Sequence, residues 1–256
     1  TVGGPLMNDD ALAAHLADNA GRILRDLQNQ ADAAELGTRA LKDRGDRESQ
    51  AYLAAALAEH RPDDAVLSEE AADVAARLES KRVWIIDPLD GTREFSEGRD
   101  DWAVHVALWE DGELTAGAVA LPGLGLVLTS ADDAHTWAPP GRLRLAVSRS
   151  RATPLVQTLA AELDAELIPM GSAGYKAAAV VRGEVDAYVH TGGQYEWDSA
   201  APVAVAHAAG LFTSRVDGSP LVYNNENPYL PDLVVCNPHI AEQLLDRVKS
   251  IMEESR

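Results

Sequence analysis

Leu12, Leu16, Ala20, Ile23, Leu24 and Leu27 recur at helical spacing with charged residues between them, so the stretch from Asp9 to about Leu27 predicts an amphipathic helix. The polar stretch Lys42 to Glu48 contains Gly45 and breaks the apolar pattern, which predicts a loop before a second helix over Ser49 to Glu59. Arg61-Pro62-Asp63-Asp64 reads as a turn. Ala65 to Ser68 then reads as a short strand that ends on Glu69-Glu70. Val83 to Ile86 has the composition of a buried strand, and Pro88, which lacks a backbone donor, predicts its end at Asp87-Pro88. Apolar stretches at Trp102 to Trp109, Leu114 to Leu121 and Gly125 to Thr129 are separated by Glu110-Asp111-Gly112 and Pro122-Gly123. Turn formers of that kind join antiparallel neighbours, so a meander is expected.

Beyond Pro139-Pro140-Gly141, the best linker, strand and helix patterns alternate. Leu143 to Val147 and Asp186 to His190 read as strands, and Thr153 to Leu163, Ala173 to Val181 and Asp198 to Ala209 as helices; a strand at Leu233 to Cys236 and a helix from Pro238 to Met252 close the chain. The expected fold class is an α+β / α/β layered sandwich. Residues 7–139 form an α+β half with helices on an antiparallel sheet, and residues 140–256 an α/β half with a mixed sheet and flanking helices.

The 256 residues are 46% hydrophobic and 25% charged, ordinary globular proportions. Lys+Arg number 22 against 41 Asp+Glu, a formal charge of −19. Such an acidic chain lacks the basic face that nucleic acid or an anionic membrane requires, and a phosphate-bearing ligand must be met by local cations or metal. A single cysteine, Cys236, cannot form an internal disulfide, so a reducing cytoplasmic setting is expected. No window approaches the ~18 apolar residues of a membrane span. Thr1 to Leu6, ahead of Met7, have the look of a vector-derived leader.

Three acidic clusters lie at predicted strand ends or helix starts: Glu69-Glu70, Asp87-Pro88-Leu89-Asp90-Gly91-Thr92, and Trp197-Asp198. In the second, Asp87, the Leu89 carbonyl and Asp90 supply the oxygen donors that a hard divalent ion prefers. Gly91 permits close backbone approach, and Thr92 opens a short helix whose free N–H groups suit an anion. Each cluster also has a structural reading. Asp-Pro and Asp-Gly are common turn signatures, Glu69-Glu70 suits a solvated helix start, and Asp198 suits an N-cap. No His-x-x-x-His or Cys-paired spacing indicates zinc, no phosphate loop ending in Gly-Lys-Ser/Thr is present, and no serine sits in a Gly-x-Ser-x-Gly elbow. The seven histidines read as structural or surface residues, and Cys236 as a small core residue.

Taken in order, Glu69-Glu70, Asp87 to Thr92, and Trp197 to Ala201 with Ala209-Gly210 resemble the lithium-sensitive, magnesium-dependent phosphatase superfamily. It comprises inositol monophosphatases, fructose-1,6-bisphosphatases and bisphosphate nucleotidases. The resemblance spans nearly the whole chain and implies an αβαβα order of layers. It implies that Glu69, Asp87 and the Leu89 carbonyl hold one Mg²⁺, that Asp87, Asp90 and Asp198 hold a second, and that a third, weaker ion lies near Asp46 and Glu69. Thr92 would orient the attacking water, paired with an upstream acid that falls on Asp46. The chain departs from the family here: its Lys42 to Arg47 stretch is shorter, and Asp43 competes with Asp46. A surface loop without a catalytic role is the alternative for that stretch.

Arg93-Glu94-Phe95 and Ser148-Arg149-Ser150 are similar to segments of the nucleotidase branch, although Arg151 stands where that branch has His. Gly171-Ser172-Ala173-Gly174-Tyr175-Lys176 resembles the turn that opens the substrate-facing helix. Gly91, Thr92, Arg149, Ser172 and Lys176 are therefore the expected substrate contacts, with Arg151 a further cation and Tyr175 or Tyr195 a base-stacking ring. The activity implied is removal of the 3′-phosphate of 3′-phosphoadenosine 5′-phosphate, and of its 5′-phosphosulfate relative, by a homodimer. An inositol-monophosphate or fructose-1,6-bisphosphate phosphatase is the alternative within the class, and a non-catalytic metal or nucleotide binder the alternative outside it.

Overall fold

Asn8 opens the first helix by accepting the Ala11 N–H on its side chain at 2.8 Å. The helix, α1 (Asp9–Ala34), runs past the predicted end and buries Leu12, Leu16, Ala20, Leu24 and Leu27. The computed structural model describes residues 7–34, 37–150 and 152–254; the leader expectation and Arg151 lie outside the described residues.

Helix α2 (Thr38–His60) takes in all of Lys42 to Glu48, so the loop expected there is a correction. Its buried stripe is Leu41, Gly45, Ser49, Leu53 and Leu57, one residue in four. Two of the five carry little or no apolar side chain, which hides the stripe from a hydrophobicity pattern. Gly45 is small for cause: a Cβ there would stand 2.7 Å from Phe95 Cε1 and 3.1 Å from Leu89 Cδ2. Ser49 Oγ donates to the Pro88 carbonyl at 2.6 Å.

Strand β1 (Ala65–Ser68) forms as expected and pairs in parallel with β2 (Arg82–Asp90). Glu69-Glu70 follow it in a turn rather than a helix start. Contrary to expectation, β2 continues through Pro88. The β1 pairing stops at Ile86, and the pairing with β3 (Ala103–Glu110) shifts register between Asp87 and Asp90, so the missing Pro88 donor interrupts no regular ladder. Between β2 and β3 lies α3 (Thr92–Ser96); β4 (Glu113–Leu121) and β5 (Leu126–Thr129) complete the meander. The first sheet has the order β1-β2-β3-β4-β5.

The second sheet is built from β6 (Arg144–Ser148), β7 (Glu166–Met170), β8 (Ala187–Tyr195), β9 (Phe212–Ser214) and β10 (Tyr229–Cys236), in the order β7-β6-β8-β10-β9. β6 runs parallel to β7 and β8, and β10 antiparallel to β8 and β9. β7 and β9 were not foreseen; both are edge strands, one carrying Pro169 and the other three residues long. The helices are α4 (Pro154–Glu162), α5 (Ala173–Val181), α6 (Glu196–Ala208) and α7 (Ala241–Glu254).

Hydrophobic clusters define the layers. α1 and α2 pack on the outer face of the first sheet around Trp84, Ile86, Trp102 and Val104. α5 and α6 fill the space between the sheets around Ile85, Ala107, Ala178 and Val235. α4 and α7 cover the far face of the second sheet around Val147, Leu159, Val234 and Cys236. The order is αβαβα, the layered sandwich expected from the sequence. No helix among the described residues is long and apolar enough to cross a membrane.

Candidate active site

Four acids meet where the first sheet faces the α5–α6 layer. Glu69 follows β1, Asp87 and Asp90 come from the irregular end of β2, and Asp198 from the first turn of α6. One carboxylate oxygen each from Asp87, Asp90 and Asp198 falls in a group whose members all lie within 4.8 Å of one another. Glu69 joins them through a hydrogen bond with Asp87. Asp198 is not the N-cap of α6. It is the third helical residue and accepts the Tyr195 N–H at 2.7 Å in a capping box, because the helix begins earlier, at Glu196.

Crowding perturbs every one of these acids. Burial, then the charges of Glu69, Asp90 and Asp198, pushes Asp87 well above the usual carboxylate range. Glu69 is pushed up to about 7 by desolvation and by Asp198, although its rim stays open to solvent. Asp198 rises to about 6 through burial and the Asp90 charge. Asp90 goes the other way: burial would raise it, but His105 and the Gly174 N–H hold it down. Hard oxygen donors and mutual repulsion are what a divalent cation relieves, so the donor set fits Mg²⁺-class ions.

His105, which the sequence placed among structural histidines, holds this corner together. It is fully buried on β3, with Nε2 at 3.1 Å from Asp90 Oδ2 and Nδ1 at 2.9 Å from the Trp197 carbonyl. The first contact is an ion-pair distance without hydrogen-bond angles; the Asp90 oxygen takes its hydrogen bond from Gly174 N–H at 2.6 Å. A Cβ on residue 174 would stand 1.9 Å from His105 Nε2. His105 lies opposite Asp87 in the β2–β3 pairing, and no local motif announces such a cross-strand neighbour.

Thr92 opens α3 behind Gly91, whose φ is 89°. Its hydroxyl donates to the Leu89 carbonyl at 3.3 Å, while the Leu89 N–H donates to Asp87 Oδ1 at 3.1 Å. Asp46, half-buried on α2, is raised to about 6 by burial and then by Glu70 and Asp43, so it stands in the field of Glu70; Asp43 is exposed.

Ser172 caps α5 by accepting the Tyr175 N–H at 3.1 Å. Lys176 is buried one turn later, its ammonium donating to the Gly171 carbonyl and lying 5.3 Å from the Tyr188 ring centre. Burial lowers its pKa, against the opposing pull of Asp90, Glu94, Asp101 and Asp198. Arg149 is clasped by Glu94 at 2.8 Å and Glu97 at 2.9 Å. Tyr175 lies under the Arg182 guanidinium, and Tyr195 stacks on Trp197 with centroids 4.8 Å apart. Beside the acids a cavity of about 390 Å³ opens, lined by Ser148, Ser150, Gly171, Lys176 and Tyr188 among others.

The sequence description of the inositol monophosphatase family matches residues 8–253. The chain belongs to the inositol monophosphatase family. A protein of Mycobacterium leprae named 3′-phosphoadenosine 5′-phosphate phosphatase is 49% identical over 261 residues, 96% of each chain. One of the same name from Mycobacterium bovis is 50% identical over 240 residues, 90% of this chain and 89% of the other. Among solved structures, inositol monophosphatase II from Staphylococcus aureus superposes with a TM-score of 0.79 at 19% identity, covering 94% of this chain and 95% of its own. At that identity the likeness concerns the fold. Members of the inositol monophosphatase family are metal-dependent phosphatases, and the acidic cluster stands where the family motifs converge.

Proposed function

We propose that the chain is a Mg²⁺-dependent phosphatase that hydrolyses the 3′-phosphate of 3′-phosphoadenosine 5′-phosphate, releasing inorganic phosphate and adenosine 5′-phosphate. The observation that carries the reading is the convergence of Asp87, Asp90 and Asp198 in a chain about half identical to phosphatases of that name.

Glu69, Asp87, Asp90, Asp198 and the Leu89 carbonyl would hold two divalent ions, with a third, weaker one toward Asp46 and Glu69. When bound, such ions supply charge for the phosphoryl oxygens and acidify water. Thr92 and Asp46 orient the attacking water; this requires the Thr92 hydroxyl to turn from the Leu89 carbonyl that it meets at 3.3 Å. Gly91 and Thr92 offer backbone N–H groups to a phosphate oxygen. Ser172 and Lys176 line the approach to the rest of the substrate. Arg149 takes the 5′-phosphate by exchanging one of its two carboxylate partners, Glu94 or Glu97, for it. The same reading carries a homodimer, inhibition by lithium and a cytoplasmic setting.

Phosphate release from 3′-phosphoadenosine 5′-phosphate and from inositol 1-phosphate, each with Mg²⁺ and with EDTA, tests the proposal. The nucleotide is expected to be favoured in kcat/KM, with release abolished by EDTA and cut at least 100-fold in Asp90→Asn. Preference for the inositol ester would overturn the substrate, and an undiminished Asp90→Asn the metal site.

A further inference from the structure

The wall of the cavity beside the acids includes a residue with a polar atom that no described residue partners. Gln194 lies near the end of β8, is 7% exposed and lines that cavity. Its Nε2 donates to the Tyr188 hydroxyl at 3.0 Å, while Oε1 is buried with no hydrogen-bond partner among the described residues. A buried carbonyl oxygen left unpaired costs on the order of 1–3 kcal/mol, so one carried by a residue in the wall of a cavity of about 390 Å³ marks a place where a donor is received. The same cavity wall carries the cations Lys176 and Arg93.

Tyr188 extends the pattern. It is 2% exposed, and because its oxygen accepts from Gln194, its own proton remains to be donated. The pair thus presents an acceptor and a donor side by side. His190, also lining the cavity, meets the Gly193 carbonyl through Nε2 at 2.9 Å. That contact makes Nε2 the donor and Nδ1 an acceptor in the neutral ring, the form that burial favours. Val147, Val156 and Val189 supply apolar wall between these polar groups. A flat heterocycle with an exocyclic amine next to a ring nitrogen matches the set: the amine donates to Gln194, and the ring nitrogen accepts from Tyr188. A 6-oxopurine presents the reverse order, an acceptor against Gln194 and an N–H against Tyr188.

We propose that Gln194, seated on Tyr188, is the residue that selects a 6-aminopurine over a 6-oxopurine at the end of the substrate remote from the acids. The inference rests on the nucleotidase reading above and adds to it the residue that reads the base.

The test compares kcat/KM for the 3′,5′-bisphosphates of adenosine and of inosine, with Mg²⁺, in the wild type and in Gln194→Met, which keeps length and removes both polar atoms. The wild type is expected to prefer the amino base by about tenfold or more, mainly through KM. Gln194→Met is expected to raise KM for the adenosine compound and to bring the two within about threefold. The wild-type arm decides even where the variant folds poorly, which its melting curve reports. Equal wild-type rates on the two bases, preference for the 6-oxo base, or a preference retained by a folded Gln194→Met would each overturn the role of Gln194. Absence of phosphate release from both nucleotides would instead remove the nucleotidase reading beneath it.

Discussion

Asp87 and Glu69 share a hydrogen bond within a group of four acids, and that proximity has a thermodynamic sign. Glu69 at about 7 and Asp198 at about 6 both lie above their unfolded values, as does Asp87 by direction. The native state therefore holds more protons than the unfolded chain from about pH 4 to 7, and metal-free stability falls as pH rises through that window. In thermal melts with EDTA, the Tm is expected to drop between pH 5 and pH 7.5, and Mg²⁺ is expected to raise it more at pH 7.5 than at pH 5. A flat EDTA profile would contradict the crowding. A second expectation concerns Gly174: Gly174→Ala places a Cβ 1.9 Å from His105 Nε2, so we expect a loss of about 1–3 kcal/mol in urea unfolding and weaker Mn²⁺ binding by titration. The acids were legible because each sits in a short contiguous motif. His105 and Gly174 were not, because what matters about them is the residue across the strand or across the layer.

Elements were legible where a stripe of large apolar side chains marks the buried face. Ala65–Ser68 and Ala173–Val181 appear with the bounds expected of them. The first half of α2 escaped because its contact surface at Gly45 and Ser49 is made of absence and a hydroxyl. Its partners Phe95 and Leu89 flank Thr92, and Leu89 carries the carbonyl that Thr92 meets, so α2 sets where the turn at Thr92 lies. In a bare helix, Gly→Ala gains about 1 kcal/mol. At position 45 the 2.7 Å approach to Phe95 reverses the sign: Gly45→Ala is expected to lose about 1–3 kcal/mol in denaturant midpoint and to lower kcat through displacement of Thr92. A stabilised, fully active variant would show that the packing tolerates the methyl.

At the scale of the molecule, the acids come from the first sheet and from the central helical layer packed against it. Asp87 and Asp90 belong to the first sheet, Asp198 to α6 directly after a strand of the second, and Gly174 of α5 holds Asp90 from between them. Scanning calorimetry is expected to give one transition for both sheets, moved upward as a whole by Mg²⁺, rather than a metal-sensitive step and a metal-blind one. The Gly174 tether also turns distance into alignment. Sliding the α5–α6 layer past the first sheet by the width of a single atom would pull Asp90 and Asp198 out of common reach, so ion affinity becomes a gauge of how squarely the two layers are set. Substitutions deep in the α5–α6 layer, far from any phosphate, are then felt first as a loosened grip on the ion and only later as a molten protein.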